Sequence, residues 1–328
     1  MPATRIAPPH LGRSVTLNFQ GDWGRANLHR VLGVLCYEMG KLSGPYTRIG
    51  IFNGRGGMDA LQAVGRGQVD VALSTPAGFV RLAHAGLGPG AGEAFPHLRA
   101  IGYVPQNDRM VVAVRKEFGI NSFEDLRRKK PKLRVTRGRN DGVNFMGLAA
   151  VELFRASGVT DDDMRAWGCA ITEHEEPHEC TSDMLHGRAD MIVMEAIMTA
   201  YWKEVSDKVD LTFVEIEPQA AARLDQQFGW GTATLPAGYH RGMNSEMRFL
   251  DFSHFLLVTT TDLPEDVGYA MAWSLVEGWE GIERQYRHIP PDRSPVSYPL
   301  KPKEIWKSSI PLHAGAERYF REAGHMEP

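Results

Sequence analysis

The sequence predicts an α/β protein made of two lobes. The chain has 328 residues, which is enough for two domains with separate hydrophobic cores. Short apolar strand patterns alternate with helical patterns, which is typical of parallel sheets covered by helices. A glycine-rich segment at residues 86–92 separates two such alternating regions, and segments of this composition are usually loops.

The first lobe is predicted from patterns near the N terminus. Its strands are short apolar runs, and its first helix has apolar residues at helical spacing. The predicted elements are strands at residues 15–19, 48–52 and 69–73 and helices at residues 28–42 and 58–64. A further helix is predicted to begin at Pro76 with Thr75 as its cap, because proline suits the first helical position and threonine the position before it. The chain then crosses to the second lobe near residues 98–104.

The second lobe is predicted from a second set of alternating patterns. Its elements are strands at residues 110–114, 133–135, 191–194 and 211–214 and helices at residues 123–127, with Ser122 as the cap, and 145–154. An apolar strand at residues 252–259 and a long helix at residues 263–282 then return to the first lobe. The first lobe is therefore predicted to contain residues 1–104 and 251–328, and the second lobe residues 105–250.

Composition excludes several classes of protein. A formal net charge of -3 gives no broad basic surface, so nucleic acid is not an expected partner. The cysteines Cys36, Cys169 and Cys180 are few and scattered, so no disulfide framework is expected. The sequence has no apolar run of about 20 residues that could span a membrane. The N-terminal residues carry a charge but no apolar signal-peptide core, so we expect a cytoplasmic location from this sequence as written.

Several short blocks of the sequence follow one another in the order of a known family. The first group lies at residues 56–61, 67–73, 98–102, 111–115 and 120–126. The second group contains LHGRAD and LPAGY and lies at residues 185–190, 235–239, 256–259, 262–266 and 310–316. Together these blocks resemble the TAXI family, the TRAP-associated extracytoplasmic solute receptors, over residues 14–325.

The resemblance implies the type II periplasmic-binding-protein fold, with a ligand cleft between the two lobes. It also implies a receptor that binds a small organic anion, with a carboxylate as the expected kind, and delivers it to a TRAP-type membrane permease. Members of this family are normally periplasmic, so the resemblance and the N-terminal sequence lead to different expectations for the location. No cofactor is expected for this function.

Candidate ligand-binding residues lie at the predicted strand ends, because ligands of α/β proteins bind beyond the carboxyl ends of strands. Helix N termini at these ends favour anions, and arginine pairs with carboxylates through two hydrogen bonds. The candidates are Asp22, Trp23, Asn53, Arg55, Ser74, Thr75 and Tyr103 in the first lobe and Arg137, Arg139, Asn140, Glu195 and Trp230 in the second. The alternative is that the arginines are solvated surface charges and that the aromatic residues pack in the core.

One acidic segment contains side chains of the types that bind metals. His174, His178 and Cys180 lie close together in the sequence, and histidine and cysteine are common zinc ligands. Their spacing is not that of a known zinc site. Pro177 favours the other interpretation, a helix start with an acidic first turn.

The alternative function is a leaderless cytoplasmic enzyme, because the implied fold also hosts enzymes such as an aromatic-acid decarboxylase or lyase. The arginines would then orient a carboxylate, and His29 or a divalent metal near His174 and His178 would stabilise developing charge. His29 is also the candidate catalytic base. Ser74 lacks the G-x-S-x-G context of a hydrolase nucleophile. A cytoplasmic sensor that binds its ligand without turnover is the third alternative.

Overall fold

The computed structural model describes residues 6–22, 27–88, 93–196 and 199–327. The chain divides into two compact units. The first contains Met1–Asn107 and Ser253–Pro328, and the second contains Asp108–Phe252. Within the described residues, none of the helices has the length and apolar character needed to cross a membrane.

The elements are numbered in chain order. The strands are β1 (Thr16–Gln20), β2 (Arg48–Phe52), β3 (Val71–Ser74), β4 (Leu98–Val104), β5 (Arg109–Arg115), β6 (Arg134–Gly138), β7 (Ala170–His174), β8 (Met191–Glu195), β9 (Leu211–Val214), β10 (Thr232–Leu235), β11 (Met247–Asp251) and β12 (Phe255–Thr260). The helices are α1 (Asn27–Leu42), α2 (Gly57–Gly65), α3 (Val80–Ala85), α4 (Phe123–Lys129), α5 (Phe145–Ala156), α6 (Asp161–Ala166), α7 (Pro177–Leu185), α8 (Thr199–Lys208), α9 (Pro218–Phe228), α10 (Glu265–Glu277), α11 (Trp279–Glu283) and α12 (Ala314–Glu322).

The sheet of the first unit has the strand order β2-β1-β3-β12-β4. Strand β1 is parallel to β2 and β3, whereas β12 is antiparallel to β3 and β4. Strands β1 to β4 therefore all point the same way, and β12 runs against them. Their carboxyl ends lie at one edge of the sheet, where α/β proteins place ligand-binding loops.

The first unit is held together by an apolar core between its sheet and helices α1, α10 and α12. The core side chains of α1 recur every three or four residues and include Leu28, Val31, Leu32, Leu35 and Met39. They share one core with Phe19 of β1 and Leu257 of β12. Each fully buried leucine contributes about 1.5–3 kcal/mol relative to an exposed one. Helix α1 follows β1 in the chain, so its N terminus lies toward the carboxyl edge of the sheet.

The second unit has a mixed sheet with the order β10-β11-β5-β8-β6-β7, and β9 also pairs with β5. Strand β5 is antiparallel to β8, β9 and β11. Strands β9 and β11 share one side of β5, because β11 pairs with Arg109 and Met110 and β9 pairs with the stretch from Val112 to Arg115. Strands β6, β7 and β8 are parallel, so their carboxyl ends lie at one edge.

One predicted helix start is wrong. A short 3-10 helix, Ala77–Phe79, follows Pro76, and α3 begins only at Val80. The hydroxyl of Thr75 does not cap a helix but donates to the carbonyl of His254 at 3.3 Å. The antiparallel pairing of β12 with β3 brings that carbonyl within reach. Thr75 therefore joins the end of β3 to the start of β12.

Two C-terminal elements are shorter than predicted. The strand expected at residues 252–259 begins at Phe255, because His254 has a φ of 67° and cannot continue an extended strand. The helix expected at residues 263–282 is divided into α10 and α11 at Gly278. Glycine is a poor interior helix residue, and its loss of backbone freedom disfavours one continuous helix here.

Candidate functional site

Loops of the first unit gather several predicted residues at the carboxyl edge of its sheet. Asp22 follows β1, Asn53 and Arg55 follow β2, Ser74 ends β3, and Tyr103 lies near the end of β4. Strand β12 enters the sheet at the same edge, next to β3 and β4. Trp23, which the sequence also predicts here, lies outside the described residues.

Asp59 of α2 ties the loop after β2 to the sheet. Its Oδ2 accepts hydrogen bonds from Nε2 of Gln20 at 2.8 Å and from the backbone N–H of Arg55 at 2.9 Å. Gly54 permits this close approach, because a Cβ at that position would lie 2.0 Å from Nε2 of Gln20. The backbone that carries the exposed Asn53 and the half-buried Arg55 is therefore fixed from within the unit.

Asp22 and His29 form a pair at the end of β1. Asp22 is buried, and its Oδ1 lies 3.4 Å from Nδ1 of His29 in the first turn of α1. Gly21 leaves room for this pair, because a Cβ at that position would lie 2.4 Å from Nδ1 of His29. The first turn of α1 contains no acidic residue, so the carboxylate that contacts the imidazole comes from the end of the strand.

The hydroxyl protons of Ser74 and Thr75 are both used inside the unit. Ser74 is buried, and its Oγ donates to the carbonyl of Gly57 at 3.1 Å. Thr75 donates to the carbonyl of His254. A hydroxyl has a single proton but two acceptor lone pairs, so these side chains can offer a ligand only their acceptor positions in this arrangement.

Tyr103, Gln106 and His254 form a second group at this edge. The rings of Tyr103 and His254 stack with centroids 4.2 Å apart and planes 9° apart. Nδ1 of His254 accepts a hydrogen bond from the backbone N–H of Gln106 at 3.1 Å. The positive φ of His254 is a strained backbone position that costs of the order of ~1–3 kcal/mol. Burial raises the pKa of Tyr103 to about 12, so its hydroxyl stays protonated at neutral pH.

Arg137 is held by two carboxylates of the second unit. Its guanidinium donates to both oxygens of Asp161, at 2.7 and 2.6 Å, and to Oε1 of Glu173, at 3.1 and 2.7 Å. Burial alone would lower the pKa of Arg137, but the hydrogen bonds to Asp161 and Glu173 raise it. Only 4% of the side chain is exposed. Arg137 therefore joins α6 to β6 and β7. Because its guanidinium is held by these two carboxylates, Arg137 is not one of the proposed solute contacts.

The other predicted residues of the second unit have different surroundings. Arg139 and Asn140 are exposed in the loop after β6. Glu195 ends β8, which is the parallel neighbour of β6, so these three residues share one edge of the sheet. Trp230 is 2% exposed and belongs to the apolar core. The structure thus brings Arg139, Asn140 and Glu195 to one edge and places Trp230 in the interior of the unit.

The histidines and cysteine of the acidic segment have separate environments. Nε2 of His174 lies 2.6 Å from Oδ2 of Asp183, and Nδ1 of His178 lies 3.1 Å from Oε2 of Glu176. Cys180 is fully buried, and burial raises the pKa of its thiol to about 12. The thiolate is the form that binds metals. Within the described ranges no group of three or more histidine, cysteine or acidic residues could hold a metal ion.

The helical interpretation of this segment is confirmed. Helix α7 begins at Pro177, and Glu176 and Glu179 form a capping box around its first turn. Proline suits this position because the first helical N–H has no partner within the helix. The acidic residues here complement the positive end of the helix.

Sequence reasoning missed the residues that hold the first-unit edge together. These residues are Gln20, Asp59, Gln106 and His254. Gln20 and Asp59 meet only through tertiary structure, and no local pattern indicates their contact. Gln106 follows β4 and His254 precedes β12, so a systematic search of strand ends would have found them.

The chain matches one protein-family model, and two solved structures resemble it over almost its whole length. The family model described as the NMT1-like family matches residues 40–324. The periplasmic binding protein BugD is 15% identical, with 95% of this chain and 99% of that chain covered and a TM-score of 0.50. PhnD1 from Prochlorococcus marinus, in complex with methylphosphonate, is 12% identical, with 95% and 99% covered and a TM-score of 0.55. No curated protein sequence matches the chain. At these identities the likeness shows the fold, and it confirms the predicted α/β architecture of the periplasmic-binding-protein type.

Proposed function

Because the chain belongs to the NMT1-like family and has the fold of periplasmic binding proteins, we propose that it is a solute-binding protein for a small organic molecule. The observation that carries this proposal is the carboxyl edge of the first unit. Its loops are fixed by Asp59, Ser74 and Thr75. A site fixed before binding loses less conformational entropy when the solute arrives, which favours affinity.

The proposed solute is an organic anion, and a carboxylate is the specific proposal. PhnD1 was solved with methylphosphonate, which is also a small anion. Arg55, in the loop after β2, is the proposed polar contact of the first unit. No cofactor is needed for this function.

The proposed partner is a membrane permease of the TRAP type, and the proposed location is the periplasm. Both follow from the resemblance to the TAXI family and go beyond the family match. Fractionation of the source cells tests the location, and co-purification with a permease of two membrane components tests the partner. Recovery of the protein in the cytoplasm would favour the sensor or enzyme alternative instead.

Native mass spectrometry of the purified protein tests the proposed function. We expect one small organic acid per chain, released intact by denaturation. Adding the same acid at about 100 times its Kd should then raise the free energy of unfolding by about 2.7 kcal/mol. A protein that carries no acid and is not stabilised by any member of a carboxylic-acid panel would contradict the proposal.

The enzyme alternative is favoured by one observation, the pair of Asp22 and His29. A carboxylate that fixes an imidazole is a common arrangement for a general base. An aromatic-acid decarboxylase or lyase would use it to move a proton on the bound acid. Recovery of a product in place of the intact acid, and loss of its formation in His29→Gln, would establish this alternative.

A further inference from the structure

His29 has an unused hydrogen-bonding position at the carboxyl edge of the first unit. Its Nε2 is buried and has no hydrogen-bond partner among the residues that the structure describes. Leaving a buried polar atom without a partner is unfavourable, because the atom has lost its hydrogen bonds to water and gained none in the protein. A solute group that supplied the missing hydrogen bond would recover this cost, so Nε2 is a candidate contact.

Asp22 decides which hydrogen-bonding role Nε2 has. The Asp22 side chain is only 5% exposed, and its Oδ1 lies beside Nδ1 of His29. A carboxylate only accepts hydrogen bonds, so Nδ1 must carry the proton that points toward it. In a neutral imidazole the other nitrogen is then an acceptor. The geometry therefore leaves Nε2 as an acceptor that needs a donor.

We propose that Nε2 of His29 accepts a hydrogen bond from a hydroxyl or amino group on the bound solute. This inference rests on the proposed function and narrows the solute class to small organic acids that also carry such a donor. An acid without the donor would leave Nε2 unpartnered and would bind less tightly. His29 is thus a specificity-determining residue.

The tautomer of His29 can be measured without a ligand. Long-range proton–nitrogen NMR spectra of the 15N-labelled full chain at mildly alkaline pH distinguish the two neutral tautomers, and His29→Gln assigns the signal. We expect the proton on Nδ1 and none on Nε2. A proton on Nε2, in either the neutral or the charged ring, would overturn the proposal.

Matched pairs of acids test the specificity. The pairs are lactate and propionate, malate and succinate, and 4-hydroxybenzoate and benzoate. We expect wild-type protein to bind the hydroxylated member of at least one pair about tenfold more tightly, because one hydrogen bond to a buried acceptor is worth about 1.4 kcal/mol. His29→Phe keeps the ring shape and should bind both members of that pair equally.

His84→Phe is the matched control. His84 also has a buried Nε2 without a partner among the described residues, but it lies in α3 beside Arg99 at the start of β4, away from the carboxyl edge. We expect this variant to keep the tenfold preference. Loss of the preference in both variants would show a general packing effect and would overturn the role of His29.

Failure of this inference differs from failure of the proposed function. Equal binding of both acids in every pair would contradict the role of His29 but support acid binding. Binding of no acid would contradict the proposed function, and this proposal with it. Asp22→Asn gives a further check, since an amide can donate to Nδ1 and move the ring proton to Nε2. That variant should then lose the preference for hydroxylated acids.

Discussion

Arg137 and Arg139 stand two residues apart but have opposite surroundings. Arg137 points into the second unit and is 4% exposed, between Asp161 and Glu173. The side chain of Arg139 is 49% exposed, and its Nη1 lies 3.4 Å from Oε2 of Glu175. Removing one member of a buried ion pair leaves uncompensated charge, whereas exposed pairs contribute little. The two arginines should therefore differ in their effects on stability and on binding.

Arg137→Met should lower the free energy of unfolding by about 3 kcal/mol, because it leaves two partly buried carboxylates without their cation. Arg139→Met should change it by less than about 1 kcal/mol. Urea unfolding of both variants measures the difference. Equal losses in the two variants would show that the contacts of Arg137 do not hold the second unit together.

At the residue scale, the sequence predicted which residues lie at strand ends but not which side chains they contact. It placed Asp22, Asn53 and Thr75 at strand ends, because the strand ends themselves are visible in the apolar pattern. It could not distinguish Arg137 from Arg139. The partners of Arg137 lie 24 and 36 residues away, so only the folded unit reveals which guanidinium is buried.

At the element scale, α12 begins with a histidine that acts as its cap. Nδ1 of His313 accepts a hydrogen bond from the N–H of Gly315 at 3.2 Å, and Nε2 lies 2.9 Å from the carbonyl of Leu263. The ring must therefore be neutral, with its proton on Nε2. Burial lowers the pKa of His313 below its usual value, which agrees with this arrangement.

This cap makes stability depend on pH. The folded pKa of His313 is lower than the unfolded value of about 6.5. Its contribution is therefore fully present above about pH 6.5 and is lost as pH falls through the lowered folded value. His313→Asn keeps a capping side chain that does not titrate. Between about pH 8 and about pH 5, the unfolding free energy of wild type should therefore fall by more than that of His313→Asn.

Urea unfolding at several pH values measures this effect. His288→Asn is the control, because it makes the same substitution at an exposed histidine. Parallel pH profiles for wild type and His313→Asn would contradict a neutral histidine cap.

The elements that sequence reasoning found are those with strong local patterns. Helix α5 was predicted because Phe145, Ala149, Leu153 and Phe154 recur on one side of a helix. The structure adds the cap, Asn144, whose side chain accepts from the N–H groups of Met146 and Gly147. The hairpin of β10 and β11 was missed, because its strands are short and half-buried and its connecting loop is long. Its pairing is fixed by contact with β5, which lies far away in the sequence.

At the scale of the whole molecule, the chain passes between the two units at two neighbouring points. In the second unit the N–H of Phe252 donates to the carbonyl of Asp108 at 3.2 Å. In the first unit the N–H of His254 donates to the carbonyl of Gln106 at 3.3 Å. Asp108 and Phe252, at the two ends of the second unit, are therefore adjacent. Gln106 and His254, which flank the interruption in the first unit, are adjacent as well.

This arrangement predicts that each unit folds alone. The second unit, expressed as residues 108–252, keeps its complete sheet and core and has ends that already meet. The first unit needs only a short glycine linker between Asn107 and Ser253, because closing so short a gap costs little entropy. We expect cooperative unfolding and dispersed NMR spectra for both. If residues 108–252 do not fold alone, although they contain all the core residues of the second unit, its stability depends on contacts outside this range. The domain boundary would then lie elsewhere.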